Sequence, residues 1–201
     1  MTSVIEVLHE EHRNIGRLLR VLERQIDIFA AEDAPDYDVI VGVADYFLDF
    51  PDLCHHPKED AIVARLAAAH PDRLAALGDL PGEHRALRQR AISFRETVSA
   101  LLGETDIARS EIVDAARRFI DAQWAHMRRE EEGFLPLADR LLAPADWTAI
   151  ESELGRRRDP LFGGKVEARF RALGERLLAW AAEDEETPSG NPSASGKTPP
   201  T

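Results

Sequence analysis

The chain is expected to be all-α: an up-down-up-down four-helix bundle with two additional C-terminal helices. Composition is the first ground for this. Ala, Leu, Arg and Glu dominate the 201 residues, β-branched runs are short, and the charged fraction of 31% suits helices with one face in water. The second ground is periodicity: apolar residues recur at alternating steps of three and four along four long stretches. The third is punctuation, since Gly and Pro gather at the boundaries between those stretches.

Ser3 and Glu6 form a capping box that opens the first helix, which runs to about Ala31. Its seam is Ile5, Leu8, His12, Ile15, Leu19, Leu22, Ile26 and Phe29, apolar except at His12. The second helix starts after Pro35 with Asp36 as cap and ends near Ala69; Pro51 and Pro57 should kink it, because each lacks a backbone donor and crowds the preceding turn. Residues 70–82 are expected to be a loop with a short helical turn. The third helix covers about Gly82 to Leu102, with the seam Leu80, His84, Leu87, Ala91, Phe94, Val98 and Leu101, again broken by one histidine. Gly103 stops it, and Asp106 is the expected cap of the fourth, whose inner face carries Ile112, Ala116, Phe119, Gln123, His126, Glu130 and Leu137. The bundle so predicted spans residues 1–142. A helical extension follows over 143–182, one helix opening at Asp146-Trp147 and another running from Gly163 to Ala182, both packed on the outside or one end of the bundle. Residues 183–201, acidic and then rich in Pro, Ser, Gly and Thr, are expected to be disordered.

The net charge of −12 argues against nucleic acid and anionic membrane surfaces as partners. No apolar run is long enough for a transmembrane helix, and no secretory signal is visible. The single cysteine, Cys54, excludes an internal disulfide framework, so the expected location is the cytoplasm.

Candidate functional residues emerge from an internal repeat. Glu11-His12-Arg13 precedes His55…Glu59, and Glu83-His84-Arg85 precedes His126…Glu130; 43 positions separate His12 from His55 and 42 separate His84 from His126. Imidazole and carboxylate at i and i+4 share one helical face and make a two-armed metal grip. Two grips plus the single imidazoles His12 and His84 suggest a pair of metal ions bridged by Glu59 and Glu130. Nitrogen and carboxylate donors suit iron, manganese, zinc or cobalt, and the lack of thiolates argues against a zinc finger. Burying these groups without a counter-charge would cost several kcal/mol each, a sum comparable with the stability of a whole domain. His9 is off the seam. His56 and Asp60 form a second i,i+4 pair, rotated by one residue from the first, and are expected to lie outside the ligand set or in solvent. Of Glu130, Glu131 and Glu132, one should point inward and two outward.

The motifs Glu11-His12, Cys54-His55-His56-Pro57-Lys58-Glu59-Asp60, Glu83-His84 and His126-Met127-Arg128-Arg129-Glu130-Glu131 resemble the hemerythrin-like cation-binding (HHE) domain over about residues 3–142. Asp159-Pro160-Leu161-Phe162-Gly163 resembles a tail common in bacterial members. The resemblance implies a four-helix bundle holding two non-haem irons, oxo- or hydroxo-bridged, with manganese or zinc as alternatives. Its ligands would be His12, His55, Glu59, His84, His126 and Glu130. Oxygen-carrying hemerythrins have a fifth histidine on the third helix and His-x4-Asp on the fourth. Here the third helix offers only His84 and the fourth has His-x3-Glu, which points toward members linked to iron-centre repair, iron sensing or peroxide handling.

Three functions fit. The first is binding or sensing of dioxygen, nitric oxide, peroxide or iron itself. The second is an oxidoreductase that decomposes peroxide or reduces nitric oxide. The third is a helical interaction module with a structural metal. A small diatomic ligand or peroxide is the expected partner in the first two, and the sequence names no protein partner.

Overall fold

The computed structural model describes residues 3–103, 107–154, 159–163 and 166–177. Among them there is helix and no strand, and no helix long and apolar enough to cross a membrane. The main elements are α1 (Val4–Ala30), α2 (Tyr37–Phe50), α3 (His56–Ala69), α4 (Pro71–Ala75), α5 (Leu80–Leu102), α6 (Arg109–Arg129), α7 (Leu135–Leu141) and α8 (Pro144–Glu153). One π turn, Pro51–His55, joins α2 to α3, and another, Glu130–Phe134, joins α6 to α7. The four long units pack as a ring in which α1 touches α2 and α6, and α5 touches the same two. This is the predicted up-down-up-down bundle.

The helix ends follow local chemistry. Ser3 and Glu6 close the capping box at α1, Asp36 accepts from the Val39 amide at α2, and Asp79 accepts from the Gly82 amide at α5. α5 therefore starts two residues earlier than expected, at Leu80. α6 begins at Arg109 behind Ala108, and the expected cap Asp106 lies outside the described residues. α8 starts at Pro144, two residues before the expected opening at Asp146. Asp146 lies in its first turn, behind Pro144, and accepts from the Ala143 amide at 2.9 Å.

The kinks expected at Pro51 and Pro57 take the form of one π turn, Pro51–His55, and the second π turn, ahead of Pro136 in the other half, has the same cause. In each, the residue before a proline donates to a carbonyl five residues back: His56 to Pro51, Leu135 to Glu130. The prolines that follow, Pro57 and Pro136, cannot donate, and their rings crowd the carbonyl four residues back. The helix widens by one residue rather than breaking.

The apolar core forms two clusters. The larger gathers Ile15 to Phe29 of α1, Val39 to Phe50 of α2, Ala91 to Val98 of α5 and Ile112 to Ile120 of α6. The smaller gathers Val4, Leu8, Ile62, Leu66, Leu80, Phe134, Leu135 and Ile150. Beyond the bundle, α8 buries Ile150 in the smaller cluster, while Leu161, Phe170 and Leu173 join the larger one. Tyr46 donates to Asp159 at 2.8 Å, and the same carboxylate accepts from the Leu161 and Phe162 amides at 2.8 and 2.9 Å, which pins this segment to α2. The expected helix from Gly163 to Ala182 is shorter where described: one 3₁₀ turn at Ala168–Phe170, then helix over 171–177. Val166 is exposed, and Trp180 and the tail 183–201 lie outside the described residues.

Candidate metal centre

Between the two clusters lies a polar layer. His12 stands eighteen residues before Ala30, the end of α1, and His55 eighteen residues after Tyr37, the start of α2. His84 stands eighteen before Leu102 and His126 seventeen after Arg109. Equal climbs and descents from the loop end bring the four histidines to one level. All six predicted side chains are buried, Glu59 and Glu130 completely.

The layer divides into two groups whose donor atoms lie within 4.8 Å of one another: His12, His55, Glu59 and Glu130, and His56, Glu59, His84 and His126. Both carboxylates straddle the division. Glu59 places Oε1 3.7 Å from His12 and 3.4 Å from His55, and Oε2 3.3 Å from His84. Glu130 places Oε2 3.3 Å from His12, and Oε1 3.5 Å from His84 and 2.9 Å from His126.

His56 was expected outside this set. It is buried, its ring lies 4.0 Å from that of His84 at an interplanar angle of 6°, and its partner is Asp52 at 3.0 Å rather than Asp60. The π turn explains the difference: its wider winding ends at His55 and carries the next residue inward, whereas an undistorted α-helix would turn it away. Five imidazoles therefore gather here, one more than the four the repeat supplied, and the fifth comes from α3. The corresponding residue of the second half is Met127, so the symmetry of the repeat ends there. The signal was visible as the doubled histidine, but only the proline-induced π turn gives it meaning.

Each imidazole turns its Nδ1 toward a carboxylate and its Nε2 inward. Glu11 accepts from His55 at 2.9 Å and Glu83 from His126 at 3.2 Å. Thus each Glu-His pair gives its histidine to the layer and its glutamate to the histidine of the next long helix. Glu131 accepts from His12 at 2.6 Å, and Asp60 stands 3.3 Å from His84; both directly follow the straddling glutamates. Glu131 is therefore not simply solvated, and it also holds His9. A carboxylate hydrogen-bonded behind the ring fixes the tautomer and aims the other nitrogen of His12, His55, His56 and His126, the usual support of a metal-binding histidine, while Asp60 stands near His84 without a hydrogen bond.

The electrostatics of the inward face call for a cation. Both oxygens of Glu59 and Glu130, both ring nitrogens of His84 and Nε2 of His126 are buried without a hydrogen bond. Their mutual approaches are close, but none is aligned as a donor to an acceptor. Nε2 of His12 and of His55 stand 3.1 Å apart, close to the spacing of two adjacent nitrogens bound at about 2.1 Å to one metal. Burial pushes His12 down, yet Glu130, Glu131 and Glu59 outweigh it and hold it up at about 11. Burial likewise lowers His84, but Glu130 and Glu59 raise it to about 10. Burial pushes both straddling carboxylates up, and the imidazoles around them win, leaving each below its ordinary value. Without a metal, protons on the imidazoles must balance the two carboxylates. The donor set of nitrogen and oxygen atoms, with its orphaned lone pairs, fits a first-row metal.

An all-helical bundle with a buried layer of imidazoles and shared carboxylates defines a class of metal-binding helical proteins. The family model described as hemerythrin HHE cation binding domain matches residues 3–138, more than half of the chain, and the chain belongs to that cation-binding family. Comparison with curated proteins and with solved structures found no match.

Proposed function

We propose that the chain is a non-haem di-iron protein of the cytoplasm that binds or senses dioxygen, nitric oxide, peroxide or iron itself. His12 and His55 would hold one iron, His84 and His126, with His56 beside them, the other, and Glu59 and Glu130 would be shared by both. The observation that carries this reading is the set of buried carboxylate and imidazole atoms without hydrogen bonds, divided between two groups with two residues in common. Iron bound there would supply a Lewis acid and a store of electrons. The chain's own part is to orient the imidazoles through their carboxylates and to exclude water between two apolar clusters.

Metal analysis of protein produced with iron available, together with its visible spectrum, tests this. Two irons per chain with the absorption of a coupled non-haem pair are expected, and stoichiometric zinc alone or no metal would sink the reading. In Glu59→Ala both irons should be lost together, because that carboxylate belongs to both groups.

A second reading, turnover of peroxide or nitric oxide at the same centre, draws support from a pocket of about 530 Å³ that reaches His12. Rapid consumption of either substrate by the iron-loaded chain, absent in Glu59→Ala, would favour turnover. Saturable binding without consumption would favour sensing.

A further inference from the structure

The pocket that reaches His12 lies between α1 and the α6 side of the bundle. Its floor is apolar, formed by Trp124, Met127 and the bare backbone at Gly16. Trp124 is fixed by its indole N–H, which donates to Glu23 at 2.8 Å, and a Cβ at position 16 would meet its ring at 3.0 Å. Any larger residue there would push the ring outward by a few tenths of an ångström.

The rim is cationic in a chain of net charge −12. Of its charged groups, Arg13 is paired with Glu10, and Glu131 is taken up by His9 and His12. That leaves Arg20 and Arg128, both exposed, and among the described residues neither has a carboxylate partner. Arg20 instead stands over the Trp124 ring at 5.9 Å. Two guanidiniums without carboxylate partners, lining one pocket with an indole ring, form a receptor with two requirements. A guanidinium offers paired donors to a carboxylate or phosphate, and an indole face accepts a flat ring. A compact cation or a neutral aliphatic molecule would use neither feature.

We propose that this pocket binds a planar aromatic anion, its acidic group held by Arg20 and Arg128 and its ring against Trp124, beside the His12 edge of the polar layer. The site is made of protein groups alone, so it stands whether or not the metal reading holds.

Titration calorimetry on the full chain, metal-free and iron-loaded, provides the test, with 2-naphthoate and 1-naphthyl phosphate as probes and 2-methoxynaphthalene and inorganic phosphate as controls. The expected result is saturable one-site binding of at least one naphthyl anion in both forms of the protein, with quenching of indole fluorescence that Trp124→Phe removes. In R20Q/R128Q, whose changes are at exposed positions, affinity should fall by about tenfold or more at unchanged helix content, as expected for lost charged hydrogen bonds. Preference for naphthoate marks the ligand as a carboxylate, and preference for the phosphate marks it as a phosphate ester. Failure of both anions to bind would overturn the proposal. So would equal binding of the neutral ether, equal binding of inorganic phosphate, or unchanged affinity in the double variant.

Discussion

Lys58 and Arg129 each stand one residue before a straddling glutamate, and each donates to the glutamate of a Glu-His pair: Lys58 to Glu11, Arg129 to Glu83. The duplicated unit is thus longer than its histidines suggest, a cation feeding a carboxylate that feeds an imidazole. The two copies differ in burial. The Glu11 and Lys58 side chains are 10% and 14% exposed, those of Glu83 and Arg129 23% and 57%. Charges screened by water do less, so the Glu11 relay should matter more. Glu11→Gln is expected to weaken metal binding by about ten- to a hundredfold, the usual cost of losing a carboxylate behind a ligating histidine. Glu83→Gln should cost less, and Lys58→Met less than Glu11→Gln; chelator competition orders the three. An equal effect of the two glutamine variants would show that burial of the relay is irrelevant. Glu11 and Glu83 were visible in the sequence from the start, but their targets were not, since each bond joins positions more than forty residues apart.

At the scale of elements, the α1 C-terminus departs from the usual chemistry of helix ends. The Asp33 amide donates to Ile28 and the Glu32 amide to Phe29, the bond pair of a Schellman motif. Its left-handed position, usually a glycine, is Glu32 at φ 66°. Glu32→Gly is expected to stabilise the protein by about 0.5–1 kcal/mol, because the strain of a side chain there exceeds the extra freedom glycine gives the unfolded chain. A lower thermal midpoint in that variant would refute this. The long helices, their caps at Ser3 and Asp36 and the seam positions of His12 and His84 were legible because periodicity and capping are local signals. The π turns were legible only as prolines. Whether a proline bends, breaks or widens a helix depends on what the next turn must bury, here His56 and Phe134. Pro57→Ala should let α2 and α3 merge with regular winding and rotate His55 and His56 relative to Glu59. The expected outcome is weakened metal binding with helix content unchanged by circular dichroism, and full metal occupancy at wild-type affinity would contradict it.

For the molecule as a whole, the polar layer separates two apolar clusters, and its charge balance must respond to pH in opposite ways with and without metal. In the metal-free chain His12 and His84 are raised to about 11 and about 10. Their stabilising contribution is fully present below the unfolded value near 6.5 and is lost as pH rises toward those folded values. Glu59 and Glu130 are lowered, so their contribution is present above the unfolded value and lost as pH falls below it. The metal-free protein should therefore be most stable between about pH 4.5 and 6.5 and weaken steadily above. A metal needs these imidazoles neutral, so binding near pH 8 must displace a proton from His12 and another from His84, and binding tightens as pH rises. The stabilisation that metal adds should then grow from pH 6 to pH 9, since it follows from preferential binding to the folded state. Thermal unfolding of stripped and loaded protein across that range measures the increment. Calorimetric titration at pH 8 in buffers of different ionisation enthalpy counts the protons, with about two expected. An increment that shrinks with rising pH, or binding without proton release, would mean that the buried carboxylates are balanced by something other than protons on His12 and His84. The proposed metal site between the clusters would then need another explanation.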